Sequence, residues 1–152
     1  MKLAEALSRR SDAQKRVEQL RARATGSARY QEDSPPTEDA AALLTEALAV
    51  VDEIEGLVRR INRTNASTEL EPGLTITDAI ARRDALTSKH RFVSGLADAA
   101  SGWGSRQLRS ELRDVTDLVV PELRQRADRL ARDYRELDSR IQEANWATEL
   151  AD

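Results

Sequence analysis

A chain of 152 residues is long enough to bury one core of ordinary size, yet only 3% of it is aromatic and 34% is charged. Its interior must therefore come from Leu, Ile, Val and Ala, the composition of helical bundles and coiled coils. A net charge of −3 argues against a general nucleic-acid binder, and the absence of cysteine excludes disulfides and thiolate metal sites. The opening MKLAEALSRRSD lacks the apolar stretch of a signal peptide, and no apolar run approaches the roughly 20 residues of a membrane span. These features point to the cytoplasm and against stable membrane insertion.

Helix 1 is expected from about residue 2 to about residue 25, with Leu3, Leu7, Ala13, Val17, Leu20 and Ala24 on its buried face. EDSPPTED (Glu32 to Asp39) breaks it, because consecutive prolines cannot continue a helix. Thr37 is then the expected N-cap of helix 2, with Ser34 before Pro35 as the alternative start. Leu44, Leu48, Val51, Ile54, Val58, Ile61 and Asn65 form the seam of helix 2. ELEPGL (Glu69 to Leu74) reads as a turn. Thr75 and Asp78 resemble a capping box for helix 3, whose inner face carries Ile76, Ile80, Leu86, Val93 and Ala97 until SGWG (Ser101 to Gly104). Helix 4 is expected to begin near Pro121, with Val120, Leu123, Ala127, Leu130, Tyr134, Leu137, Ile141 and Asn145 in three-four alternation.

The chain repeats itself. Arg60 to Leu70 reads RINRTNASTEL and Arg140 to Leu150 reads RIQEANWATEL, identical at six of eleven positions at an offset of 80. LAEALSRR (Leu3 to Arg10) matches ITDAIARR (Ile76 to Arg83) at an offset of 73, with Ala6/Ala79, Arg9/Arg82 and Arg10/Arg83 identical. The second half thus carries about seven extra residues, in its connection around residues 101 to 119. Residues 1–72 and 73–152 read as two duplicated helical hairpins. They predict a single all-α domain over 1–152, an antiparallel up-down-up-down four-helix bundle. Both intra-hairpin loops then lie at one end, where ARYQED (Ala28 to Asp33) and RSELRDV (Arg109 to Val115) are expected to pair as a small two-stranded ribbon.

KLAEAL near the start, RRINRTN in helix 2, LTITDAIARRD opening helix 3 and LDSRIQEANW in helix 4 resemble, in order, a family of short bacterial proteins of unknown function. Some of its members are labelled septicolysin. The resemblance covers essentially the whole chain. It implies a helical fold and, through that label, a cytolytic role; Val119 departs from the acidic residue expected before helix 4.

Polar residues interrupt the apolar seams at two places. Arg10 and Arg83 are equivalent in the repeat and fall near the apolar faces of their helices, and His90 lies on the inner face of helix 3. A charge in a core requires a partner, for which Glu5 and Asp78 are within reach. Such a cluster reads either as a pseudo-symmetric polar site or as a network that sets register, with snorkelling to the surface as a further outcome. Asn62, Asn65 and Asn145, with Trp146, form the second group. They read as helix-end caps or, alternatively, as the lining of a small-ligand site. One histidine cannot supply the two Glu-x-x-His pairs of a di-metal bundle, so no metal or cofactor is expected. The leading expectation is a non-enzymatic protein that associates with itself or with a protein partner, without nucleic acid. Membrane activity and a ligand or enzymatic site at the asparagine ends are the alternatives.

Overall fold

The computed structural model describes residues 1–102 and 114–152. The chain forms α1 (Leu3–Ser27), α2 (Ala40–Ser67), α3 (Ile76–Ala100) and α4 (Val120–Ala147). β1 (Glu69–Glu71) and β2 (Leu74–Thr75) make a two-stranded antiparallel ribbon between α2 and α3. This is the all-α, four-helix class with a small ribbon that the sequence pattern predicts. The ribbon occupies the segment expected to be a plain turn, and Gly73, at a φ of 80°, makes the reversal after Pro72. The pairing expected between ARYQED and RSELRDV involves residues 109–113, which lie outside the described residues.

The helix ends follow the repeat residue for residue. α1 and α3 differ by 73 at both ends, and α2 and α4 differ by 80 at both ends. Their starts are equivalent too. The Glu5 carboxylate accepts from the Lys2 backbone N–H at 2.7 Å, and the Asp78 carboxylate accepts from the Thr75 N–H at 3.4 Å. Thr75 Oγ1 in turn accepts from the Asp78 N–H at 3.1 Å, completing the expected capping box. α2 is capped by Asp39, not Thr37, its carboxylate accepting from Ala41 and Ala42.

Two compact units result. The first comprises Met1–Glu69 together with Glu143–Asp152, and the second Leu70–Gln142. In the first unit α1 and α2 run antiparallel, shown by ion pairs Arg9–Glu53, Arg16–Glu46 and Arg23–Glu38. Leu3, Ala6, Leu20, Leu57 and Ile61 are buried there, and so is Leu150 from the end of the chain. That end is held by backbone bonds: the Leu3 N–H donates to Thr148 O at 3.0 Å and the Leu150 N–H to Met1 O at 2.9 Å. The Lys2 ammonium adds an ion pair to Glu149 at 2.7 Å. In the second unit Ala79, Leu137 and Ile141 form a core against which Leu70, Leu74, Ile80 and Leu86 pack. Leu70 and Leu150, equivalent in the repeat, thus each complete the unit built from the other hairpin's helices.

The buried face of α4 is the one predicted: Ala127, Leu137, Ile141 and Asn145 are buried and Leu123, Leu130 and Tyr134 are half-buried. The face of α2 is the predicted one only in its second half, where Ile61 is buried and Ile54, Val58 and Asn65 are half-buried. Leu44, Leu48 and Val51 are 55%, 56% and 45% exposed, whereas Leu43 and Leu57 are buried and Ala47, Val50 and Ile54 half-buried. α2 carries more apolar residues than one face can hold, and the longest leucine run is the surplus. Moving the α4 seam back by 80 residues lands on Leu43, Ala47, Val50, Ile54, Leu57 and Ile61, the face that packs. No helix among the described residues is long and apolar enough to cross a membrane.

Two predictions follow from the packing and from its electrostatics. Leu43→Ala should cost about 2–4 kcal/mol, while Leu44→Ala, one residue on, should stay within about 0.5 kcal/mol, both read from urea midpoints. The Glu149 carboxyl is held below its ordinary range by its hydrogen bond to Lys2 and then by that to the Met1 ammonium. A depressed folded-state value gives stability that is present above the unfolded value, near 4.3, and lost as pH falls through the folded one. Glu149→Gln should therefore flatten acid unfolding in that window and lower stability slightly at neutral pH; identical pH profiles would refute the assignment.

Candidate functional site

The residues that interrupt the seams separate into the two units. Arg83, in the second, is half-buried between Asp84 at 3.0 Å and Asp138 at 3.4 Å. Burial pulls its pKa down, but the hydrogen bonds and charges of Asp84 and Asp138 outweigh this and raise it above the ordinary value. Asp78, expected as its partner, is instead committed to capping α3, as Glu5 is at the start of α1. Arg10, in the first unit, has a buried Nε without a hydrogen-bond partner among the described residues. The repeat explains the difference: the positions equivalent to Asp84 and Asp138 are Ser11 and Val58. The two arginines are equivalent in sequence and unlike in environment.

His90 is half-buried, with Nε2 3.4 Å from Ser94 Oγ. It borders a depression of about 360 Å³ together with Thr87, Tyr134 and Arg135. Asn62 and Trp146 are exposed, Asn65 is half-buried and Asn145 is buried. No non-glycine residue has a positive φ among those described, so neither asparagine ends a helix in left-handed geometry. Both sit inside the last turn, and α2 ends at extended Thr68. No hydrogen bond joins any two of the seven candidates among the described residues.

The polar residue that organises this end is Thr64, beside Asn65. It is buried; its Oγ1 donates to Arg60 O at 2.8 Å and accepts from the Ala151 N–H at 2.9 Å. Arg60 Nε donates to Ala151 O at 2.8 Å, and its repeat equivalent Arg140 binds the Glu71 carboxylate at 2.8 Å. Positions 71 and 151 are themselves equivalent. The conserved arginine of the repeated phrase therefore holds the segment that follows the other copy of that phrase. Thr64 is not part of the match between the copies, since Ala144 stands at its equivalent, and that is why the repeat did not reveal it.

A family model for DUF6847, described as a family of unknown function, matches residues 10–150 and so includes both copies of the phrase. The chain belongs to the DUF6847 family. It is also similar to a functionally unknown conserved protein from Corynebacterium diphtheriae, known from its crystal structure. The two are 43% identical over 99% of each chain, with a TM-score of 0.94. No curated protein matches.

The ion pairs along the first hairpin of this DUF6847 chain have no full counterpart in the second. Arg9–Glu53, Arg16–Glu46 and Arg23–Glu38 correspond by the repeat to Arg82/Asp133, Lys89/Arg126 and Leu96/Leu118. The middle rung has become two cations and the last two leucines. Neither Lys89 nor Arg126 has an ion-pair partner among the described residues.

Replacing each repeat-equivalent arginine should separate their roles. Arg10→Met removes an unsatisfied buried donor and should raise stability by about 1 kcal/mol. Arg83→Met strands Asp138 and should lower it by up to about 1 kcal/mol. Urea unfolding at unchanged m-value reads both, and equal effects of the same sign would contradict the assignment.

Proposed function

We propose that this protein is a non-enzymatic helical protein of the cytoplasm that works by association, in the first instance with itself. The observation that carries the reading is the exposed apolar line on α2, Leu44, Leu48 and Val51. Residues spaced by four and three lie on one stripe of a helix, and such a stripe left in solvent is the usual mark of a docking face. It lies about a quarter turn from the face that is buried in the hairpin, Leu43, Ala47, Val50, Ile54 and Leu57, so the hairpin's own packing leaves it in solvent. Ala40, Ala41 and Ala42 precede it and leave room for a second backbone to approach closely.

The cytolytic role suggested by the septicolysin label is a weaker reading. From Ala40 to Val58 α2 has four acidic residues, Glu46, Asp52, Glu53 and Glu55, and no basic one. Helices that lie on membranes are usually basic on their polar face. A small-ligand site at Asn65 and Asn145 has less support, because no hydrogen bond joins those amides.

Sedimentation velocity at tens of micromolar tests the reading. The wild type should sediment as an oligomer, and Leu48→Asp as a monomer with an unchanged circular dichroism spectrum. A wild type that stays monomeric, or that releases dye from vesicles at the same concentration, would overturn it.

A further inference from the structure

The second unit carries an apolar groove of about 550 Å³ between α3 and α4, formed by Phe92, Val93, Leu96, Leu123 and Leu130 and bordered by Lys89 and Arg126. No carboxylate lines it. Phe92 is 74% exposed, a large aromatic surface left in water on an otherwise aromatic-poor chain. The repeat shows what made this groove. Phe92 stands where the first hairpin has Gln19, Leu96 where it has Arg23, and Arg126 where it has Glu46. Each exchange replaces a residue of a solvated or ion-paired flank by an apolar or uncompensated basic one.

Packing of the hairpin does not call for these exchanges. Two cations beside one groove repel each other, and the lost ion pair returns nothing to the fold. An exposed Phe92 does not add to a core, and Leu96 beside it is only half-buried. Such a combination suits a partner helix that brings an apolar ridge and negative charge. α2 has both. Its exposed line Leu44, Leu48, Val51 continues at the next four-residue step to Glu55, with Asp52 beside it.

Resting on the self-association reading, we propose that the α2 stripe of one copy docks into the α3–α4 groove of a second copy. Leu44, Leu48 and Val51 enter against Phe92, Leu96, Leu123 and Leu130, and Asp52 and Glu55 meet Lys89 and Arg126. The contact is heterologous, stripe to groove. A reciprocal pair of such contacts closes a two-fold dimer, whereas a single contact per copy propagates into a chain of molecules.

Complementation distinguishes this contact from stripe-to-stripe pairing. Leu48→Asp spoils only the stripe and Phe92→Asp only the groove; both sites are exposed, so both variants should keep the wild-type circular dichroism spectrum. Alone, each should associate about thirtyfold more weakly than wild type or worse, the loss expected for a central interface anchor. Mixed, they should form a heterodimer, because each supplies the surface that the other lacks. Arg126→Glu should also weaken association, and Asp52→Lys in the same chain should restore it. If Leu48→Asp is monomeric while Phe92→Asp associates like wild type, the α2 stripe functions but the groove is not its partner, and the proposal falls. If the wild type itself does not associate, the underlying reading falls with it.

Discussion

The short segments that follow each copy of the repeated phrase complete the packing of the other hairpin's helices, and the rest of the structure depends on this exchange. Leu150 is buried with α1 and α2, while Leu70 packs on Ala79, Leu137 and Ile141 of α3 and α4. Strand-like hydrogen bonds accompany both: Glu149 bridges Lys2, and β1 pairs with β2. A helical hairpin leaves the end of its apolar stripe open, and burying one further leucine there is worth about 1.5–3 kcal/mol for the buried Leu150 and less for the half-buried Leu70. Each unit obtains that leucine from chain belonging to the other half of the repeat.

The exchange accounts for which residues the two halves have kept in common. Ile61 and Ile141 fill the core, Arg60 and Arg140 hold positions 151 and 71, and Leu70 and Leu150 are the exchanged side chains. Identity between the halves is thus concentrated where the same geometry is built twice. Small residues follow the same logic. Ala6 and Ala79 are fully buried at equivalent positions, where a larger side chain would push the helices apart.

Away from that end the halves differ in a consistent way. The first hairpin closes its flank with three ion pairs and leaves a leucine stripe on the outer side of α2. None of the three has an ion-paired counterpart in the second among the described residues: Lys89/Arg126 and Leu96/Leu118 stand at two of the positions, Arg82 and Asp133 do not pair at the other, and a groove opens beside Lys89 and Arg126. Exposed ion pairs contribute little stability, so their loss is tolerated easily. The same surface can therefore change without endangering the core. Arg10 and Arg83 show a milder version of this drift, one having lost the carboxylates that the other retains.

Periodicity and the repeat were sufficient to determine the all-α class, the four helices, the capping box at Thr75 and the buried face of α4. These depend on local preferences and on a stripe with no competitor. The buried face of α2 was not legible from its own leucines, because Leu43 and Leu44 begin two apolar stripes of similar strength, and only the packing against α1 chooses between them. The offset of 80 residues held the answer, since α4 has a single stripe to copy. Among the candidate site residues, the equivalence of Arg10 and Arg83 was visible, but their partners were not. Asp138 lies 55 positions from Arg83, and no local rule joins them. Thr64 and the exchanged leucines were equally invisible, because hydrogen bonds and burial between distant parts of the chain exist only once it has folded. Local chemistry decided the elements, and long-range packing decided which of their surfaces remain in solvent.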